Sequence, residues 1–245
     1  MATRIRAGVR TAAACAVTVP VLALVLAGCT GGGTSGAASA SPVSTVHDVP
    51  DGTQLESILL STPDVPKAFT EESVGAQNSG KSLSIAPATV DLGRADCNTV
   101  LNLVNTVGQN GLGAASYASD AFTPPSGHGE FDETLLEFHG TDATSFTGKL
   151  GAAFNRCSTF QASDASGATQ TAAVKVVAGP RIGDESVGFQ VSVSLAGQTM
   201  VMNGAVVRVG TAVVLVDNSL LKGQRTDIDL AKLAGVLVKR VGSVR

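Results

Sequence analysis

The sequence predicts an α+β fold in a single domain, with an antiparallel sheet of about six strands flanked by helices, and with one disulfide. Three features predict it. In the last third of the chain, four strand-like segments are separated only by short Gly-containing connections, which demand antiparallel neighbours. Apolar residues recur at helical spacing in several other segments. Two of these helical segments carry a cysteine on their apolar side, Cys97 and Cys157.

Residues 1–28 have the three parts of a secretory signal. Arg4, Arg6 and Arg10 precede an apolar run that ends with Ala27 and Gly28, directly before Cys29. This ending resembles the bacterial lipoprotein box. The resemblance implies cleavage before Cys29, acylation of that cysteine with long chains such as palmitate, and a protein that is lipid-anchored on the extracytoplasmic face of the cell membrane. The alternatives are an uncleaved transmembrane anchor and an ordinary secreted protein, although the apolar run is shorter than the ~20 residues that a spanning helix needs.

A flexible tether is expected at residues 29–49. From residue 30 to residue 42 the chain consists of Gly, Ser, Thr, Ala and one Pro, without charge or apolar periodicity. Such a segment cannot bury enough apolar surface to offset the entropy of ordering it. Residues 50–245 then form the one folded domain, which is long enough for an adequate core.

The charge of the chain argues against a nucleic-acid partner. Removal of residues 1–28 takes away three arginines, so Lys plus Arg falls from 17 to 14 while Asp plus Glu stays at 20, and the formal net charge changes from −3 to −6. The acidic residues are spread along the chain, as on an ordinary soluble surface. A surface of this sign repels a phosphate backbone.

The four cysteines of the chain reduce to one pair. Cys15 leaves with the signal and Cys29 is acylated, so Cys97 and Cys157 remain. In an exported chain such a pair most simply forms a disulfide. A metal-binding pair or a redox dyad is the alternative, but neither has support from a close Cys-x-x-Cys spacing.

The first half of the domain predicts two helices with a loop between them. A short helix carries Leu55, Ile58 and Leu59 on one face and ends before the prolines at 63 and 66. Residues 70–90 are polar, rich in Ser and Gly, and predict a loop. Residues 91–107 predict a second helix, with Cys97 on its buried side and Gly108 after its end.

A hairpin and a third helix follow. Residues 114–122 predict a strand before a Pro-Pro-Ser-Gly turn. The second strand has an apolar face and a solvent-facing side, with Leu135 as the exception on the solvent side. Apolar residues then repeat at helical spacing up to Cys157, which places this cysteine on the inner side of its helix. The two cysteines could therefore join two helices on one side of the sheet.

The last third of the chain predicts four strands and a final helix. The strands are residues 170–178, 186–195, 199–209 and 211–217. The second of them alternates apolar and small polar residues without exception, and the fourth is apolar on both faces, as a central strand covered on two sides would be. Asp227 is expected to cap the amphipathic C-terminal helix.

No catalytic set is visible in the sequence, so we expect no enzyme and no cofactor. Ser219 and Lys222 match the Ser-x-x-Lys pattern of penicillin-recognising enzymes, but the companion motifs are missing. His128, Glu130 and His139 could approach one another, yet their spacing matches no zinc pattern. Surface histidines are expected there, and no metal site.

Two sets of polar residues are candidates for contacting a ligand. Glu133, Glu137 and His139 share one face of a predicted strand and could line a polar groove. Gln190 and Ser192, with the other small polar residues of the strand 186–195, could floor an open cleft. A plain solvated sheet face has the same composition and is the alternative for both sets.

The order of elements, together with several soft motifs, resembles the extracellular sensor domain of PknH-type Ser/Thr kinases and related free-standing lipoproteins. The resemblance extends from residue 50 to residue 241. The motifs that carry it are Leu59-Leu60-Ser61 with Val65 and Phe69, the Cys97 helix, Tyr117 before the Pro-Ser-Gly turn, Phe154 to Cys157, Gly183-Asp184, and Arg208 to Val214 across a tight turn.

The resemblance implies an antiparallel sheet flanked by helices, a broad cleft for a ligand, and disulfides that staple helices. Family members commonly carry a second cysteine pair, which residues 50–245 of this sequence lack. We also expect no kinase domain or transmembrane helix to follow the domain, unlike in the kinases. The expected function is a non-catalytic, lipid-anchored extracytoplasmic ligand-binding or sensor lipoprotein. Its expected partners are the membrane, a small-molecule or lipid ligand, and a membrane signalling protein. The alternative is a carrier of envelope lipids or hydrophobic small molecules.

Overall fold

The computed structural model describes residues 49–78, 92–106, 112–125, 129–163, 169–195 and 197–244. These residues form one antiparallel sheet with two helices on each face. The predicted signal, the lipoprotein box, nearly all of the tether and His128 lie outside these residues. The helices and strands, in chain order, are α1 Gly52–Glu56, β1 Thr70–Asn78, α2 Ala95–Thr106, β2 Ser116–Thr123, β3 Glu130–Glu137, α3 Asp142–Arg156, β4 Thr159–Ser163, β5 Thr169–Val177, β6 Glu185–Leu195, β7 Gln198–Val209, β8 Ala212–Leu221 and α4 Leu230–Val241.

The sheet has eight strands in the described ranges, in the order β1-β2-β3-β8-β7-β6-β5-β4, with every neighbouring pair antiparallel. The α+β class and the antiparallel sheet are confirmed, but the expected number of about six strands is wrong. The two missed strands are β1 and β4, which lie at the two edges. An edge strand is paired on one side only and can be short or polar, so it leaves little apolar alternation in the sequence. β1 was predicted as loop for this reason.

The predicted disulfide is present and joins α2 to the end of α3. Cys97 and Cys157 are fully buried, with their Cα atoms 5.0 Å apart. On the outer side of the same two helices, Arg156 forms a two-pronged ion pair with Asp96, with both N···O distances at 2.9 Å. The disulfide therefore holds the helical layer of one sheet face together at its buried side, and the ion pair bridges it at the surface.

Helices α1 and α4 cover the opposite face, where Arg240 of α4 joins the segment that follows α1. Its guanidinium donates to both carboxylate oxygens of Asp64 at 2.9 Å and to the carbonyl of Leu59 at 2.6 Å. The N-cap of α4 is Asp229, whose side chain accepts from the amide of Lys232. The expected cap, Asp227, lies two residues too early.

Among the described residues, no helix combines the length and the apolar character needed to cross a membrane.

β8 is the central strand and is buried on both faces, as predicted. Val213 and Leu215 belong to the core under α2 and α3, while Val214 and Val216 belong to the core under α1 and α4. Beside β8, Gly204 of β7 lies directly beneath the buried ring of Phe189, because a Cβ atom built on Gly204 would overlap three carbons of that ring. A side chain at 204 would therefore displace the Phe189 ring.

Candidate functional site

Glu133 and Glu137 lie on a buried part of the sheet, not on a solvated face. Both project from β3 on the side covered by α1 and α4, and their exposed fractions are 0% and 1%. The prediction of a solvent-facing side for this strand is wrong. Leu135, which seemed an exception between the two glutamates, is a regular member of the buried face. Sequence alternation alone could not show this, because the covering helices come from both ends of the domain.

Glu133 is held by the end of the α1 segment. One of its carboxylate oxygens accepts the amide of Leu60 at 2.8 Å, and the other has no hydrogen-bond partner within the described ranges. Asp120 of β2 stands opposite Glu133 in the strand register. Burial is the main cause that raises the pKa of Glu133, to about 8; the Asp120 and Asp64 carboxylates also raise it, while the Leu60 amide and Arg240 oppose the rise. Glu133 is therefore mostly uncharged at neutral pH.

Glu137 and His139 are close in sequence but differ in environment. The Glu137 carboxylate accepts a short hydrogen bond from the hydroxyl of Thr211, at the turn before β8. His139 comes after the end of β3 and is exposed. Over the described ranges, no group of three or more His, Cys, Asp or Glu side chains is arranged to hold a metal ion. The exposed His139 therefore does not line a common groove with Glu133 and Glu137, which are buried.

Gln190 and Ser192 lie on the part of the α1/α4 face that extends past α4 towards β5. Both are half-buried. The amide of Gln190 donates to Asn203 of β7 at 2.8 Å, and the amide of Asn203 donates to the buried Asn218 of β8 at 3.4 Å. This chain of amides runs across β6, β7 and β8. The five predicted ligand contacts thus share one face of the sheet or its edge, but they do not converge on one point.

A second polar group lies on the opposite face, under the α2 and α3 side, and sequence reasoning missed it. Asp217 of β8 is 1% exposed, and neither oxygen of its carboxyl group has a hydrogen-bond partner in the part of the chain that the structure describes. Asp132 of β3 is directly opposite it in the register. Burial is the main cause that raises the pKa of Asp217 well above its ordinary value, and the charges of Asp132 and Glu130 raise it further.

Thr134 completes this group, which we call the Asp217 cluster: Glu130, Asp132, Thr134 and Asp217. Thr134 is 1% exposed, and its hydroxyl is also without a partner among the described residues. It lies on β3 two residues after Asp132 and on the same face, diagonally across from Asp217, a separation that side chains of this size can bridge. On the other side of Asp217 stands Gly204, which contributes no side chain of its own. The cluster therefore has unused hydrogen-bonding capacity at its centre.

One sequence signal could have found Asp217. It directly follows five apolar residues in a strand that is apolar on both faces, where a carboxyl group has no expected solvent contact. Buried carboxyl groups normally have hydrogen-bond partners, because leaving one without them destabilises the fold. The two oxygens of Asp217 and the hydroxyl of Thr134 are positions where a ligand could form hydrogen bonds. The Thr134 hydroxyl makes no hydrogen bond to a carboxylate of the described residues, so the pairing of nucleophile and base that covalent catalysis requires is not formed there.

Comparisons with known proteins place the fold. No protein-family model and no curated protein matches the sequence. Among solved structures, the extracellular domain of PknH from Mycobacterium tuberculosis is similar to the chain with a TM-score of 0.58 and 15% identity, over 80% of this chain and 99% of that one. An uncharacterized protein from Mycobacterium smegmatis gives a TM-score of 0.42 and 16% identity, over 80% of this chain and 98% of that one. The chain has the fold of the extracellular domain of PknH.

Proposed function

We propose that this protein is a non-catalytic ligand-binding lipoprotein of the extracytoplasmic face of the membrane, and that its ligand occupies the Asp217 cluster. The observation that carries the proposal is the buried carboxyl group of Asp217, which has no hydrogen bond to either oxygen from any described residue. A ligand that supplies those hydrogen bonds would gain affinity from groups that otherwise destabilise the protein. A signal would then pass to a membrane partner.

Two further observations support an extracytoplasmic location. The Cys97–Cys157 disulfide is the kind of bond that persists in oxidising compartments outside the cytoplasm. The fold is that of a domain described as extracellular. Residues 1–49 carry the predicted secretory signal at 1–28, the lipidation site Cys29 and the tether at 29–49, which would attach the domain 50–245 to the membrane.

The five ligand contacts expected from the sequence have different parts in this proposal. Gln190, Ser192 and His139 are at least partly accessible and stay predicted contacts for a second polar portion of a ligand. Glu133 and Glu137 would meet a ligand only after α1 and α4 had moved away from β3, because both are buried beneath these helices. We therefore propose the Asp217 cluster as the first site to test.

The alternative function is that of a carrier for envelope lipids or hydrophobic small molecules. One observation favours it. Next to the Asp217 cluster, on the same face, Met202 and Leu221 are half-buried and Met200 is 42% exposed. An apolar ligand could lie on these side chains with its polar end at Asp217.

The lipid anchor is tested by replacing Cys29 with serine in the full chain, expressed in a bacterium that acylates lipoproteins. We expect the wild-type protein in the membrane fraction and C29S in the soluble fraction or the medium, because several acyl chains on one residue hold far more firmly than a single myristoyl chain. Cys15→Ser is the matched control and should stay membrane-bound. Equal membrane retention of C29S would contradict the anchor.

The ligand site is tested by native mass spectrometry of the acylated full chain, extracted in a mild detergent. We expect a small molecule to copurify with the wild-type protein and to be lost from Asp217→Asn, which has nearly the same shape. This substitution should also raise the melting temperature of the ligand-free protein, because an amide avoids burying a titratable carboxyl group. Asp142→Asn, an exposed change of the same charge at the start of α3, should keep the ligand.

Two results would contradict the proposal. One is wild-type protein that is empty in every extract. The other is a copurifying ligand that Asp217→Asn retains at the wild-type level.

A further inference from the structure

Residues 50–69, which we call the strap, are the first part of the folded domain. The strap consists of α1 and the turns that lead to β1, and α1 lies against β1 and β2. The core on the opposite face, which contains the Cys97–Cys157 disulfide, includes none of the described strap residues. The strap therefore covers one face of the sheet only. Its apolar side chains belong to the core under α1 and α4: Leu55, Ile58, Leu59, Leu60, Val65 and Phe69.

Side chains of β2, β3 and α4 form hydrogen bonds with the strap. The hydroxyl of Ser116 donates to the carbonyl of Pro50 at the start of the strap. The guanidinium of Arg240 binds the residues that follow α1. The carboxyl group of Glu133, which is 0% exposed, accepts the amide of Leu60 at 2.8 Å. Of these side chains, Glu133 is the one that can change its charge near neutral pH, because its pKa is raised to about 8.

The surroundings of Glu133 disfavour its charged form while the strap is closed. Asp120 of β2 is opposite it in the strand register, and Val216 of β8, on its other side, has no charge. Asp64 of the strap and Arg240 of α4 are the other charged groups that act on it, and Arg240 already donates hydrogen bonds to the strap. A buried carboxylate beside two other carboxylates gains solvation when water reaches it. Lifting the strap would admit that water.

The end of the strap is strained, and this observation is independent of Glu133. Ala68 has a φ of 79°, in the left-handed region that residues with a side chain adopt only at an energetic cost. Ala68 is also exposed, so packing of its own side chain does not offset that cost. Opening of the strap would let Ala68 return to an ordinary conformation. The strain therefore favours the open form at every pH.

We propose that the strap opens from the sheet as a unit while the rest of the domain stays folded, and that loss of the Glu133 proton promotes this opening. The apolar burial of the strap keeps the open form a minor population. In a lipid-anchored protein, opening would lengthen the predicted tether at 29–49, because the strap directly follows it.

The sign of the pH dependence follows from the two protonation states. In the closed form the pKa of Glu133 is raised from 4.5 to about 8, mainly by burial. Between these two values the closed form holds a proton that an open, hydrated Glu133 would release. Opening is therefore least favourable below pH 4.5, becomes more favourable up to pH 8 and changes little above it.

The test follows hydrogen exchange of the full chain by mass spectrometry at pH 6 and pH 8.5, with rates corrected for the intrinsic effect of pH. We expect strap peptides to exchange at least about tenfold faster than peptides from the centre of β8 at both pH values, because the strap opens without global unfolding. The equilibrium constant for opening should rise at least about tenfold between pH 6 and pH 8.5.

Three variants separate the parts of the inference. In Glu133→Gln, which keeps an acceptor for the Leu60 amide, the opening constant should change less than about threefold between the two pH values. Glu56→Gln removes an exposed carboxyl group of α1 and should keep the wild-type pH response. Ala68→Gly relieves the backbone strain and should lower the opening constant severalfold at both pH values.

Two results would overturn the inference. Strap peptides that exchange no faster than those of β8 would show that the strap opens only when the whole domain unfolds. A wild-type pH response in Glu133→Gln would show that another group controls the opening. Both results are independent of a ligand at the Asp217 cluster and of the lipid anchor, so they leave the proposed function standing.

Discussion

Replacing Cys97 and Cys157 together by alanine is expected to lower the free energy of unfolding by about 4 kcal/mol. The two cysteines are 60 residues apart in sequence, so their bond removes much of the conformational freedom of the unfolded chain. It also ties α2 to the end of α3 at a point with no exposed surface. Equilibrium unfolding in urea, monitored by circular dichroism, measures the change. The wild-type protein in reductant should approach the stability of the double variant.

A matched control breaks the other link between the same helices. Arg156→Ala removes the ion pair with Asp96, whose two side chains are 65% and 33% exposed. Exposed pairs of this kind contribute little, so this variant should unfold at a urea concentration close to that of the wild type. A double alanine variant as stable as Arg156→Ala would show that the disulfide adds nothing beyond surface contacts.

The stability of the protein is expected to fall by about 4 to 5 kcal/mol as the pH rises from 4.5 to 8, owing to Glu133 alone. The pKa of Glu133 is raised from 4.5 to about 8 in the folded protein. Between these two values the folded state keeps a proton that the unfolded state has lost, so each rise in pH favours unfolding. The contribution is full below pH 4.5, decreases up to pH 8 and is constant above it. Asp217 acts in the same direction.

Glu133→Gln should abolish the part of this pH-dependent loss of stability that Glu133 causes. Glutamine keeps an oxygen that can accept the Leu60 amide, and it cannot ionise beside Asp120, Asp64 and Arg240, the charged groups that act on Glu133. We expect the variant to exceed the wild type by about 4 to 5 kcal/mol at pH 8.5 and to match it at pH 4.5. Urea unfolding at a series of pH values measures this, with the exposed Glu56→Gln as control. Parallel profiles for wild type and Glu133→Gln would contradict the assignment.

The elements that the sequence predicted well are those whose signal is local. The apolar run from Ala212 to Val216 identifies the central strand, because only a strand covered on both sides tolerates apolar residues at every position. The inward placement of Cys97 and Cys157 follows from helical periodicity, and the pairing from their being the two cysteines left in the domain. In contrast, β1 and β4 are edge strands, and their pairing on one side only leaves almost no pattern to read.

The environment of the polar residues is what the sequence predicted least well. By itself the sequence determined the α+β class and the central strand, since these follow from the spacing of apolar residues within segments. It also determined the disulfide, since residues 50–245 contain two cysteines, each on the apolar side of a predicted helix. The tertiary structure alone decided that Glu133 and Glu137 are buried, because α1 and α4, which cover them, are 181 residues apart at the contact between Leu59 and Arg240. It alone also brought Asp132 opposite Asp217, on strands joined by no local connection. Burial and register are properties of packing between distant segments, and no single segment encodes them.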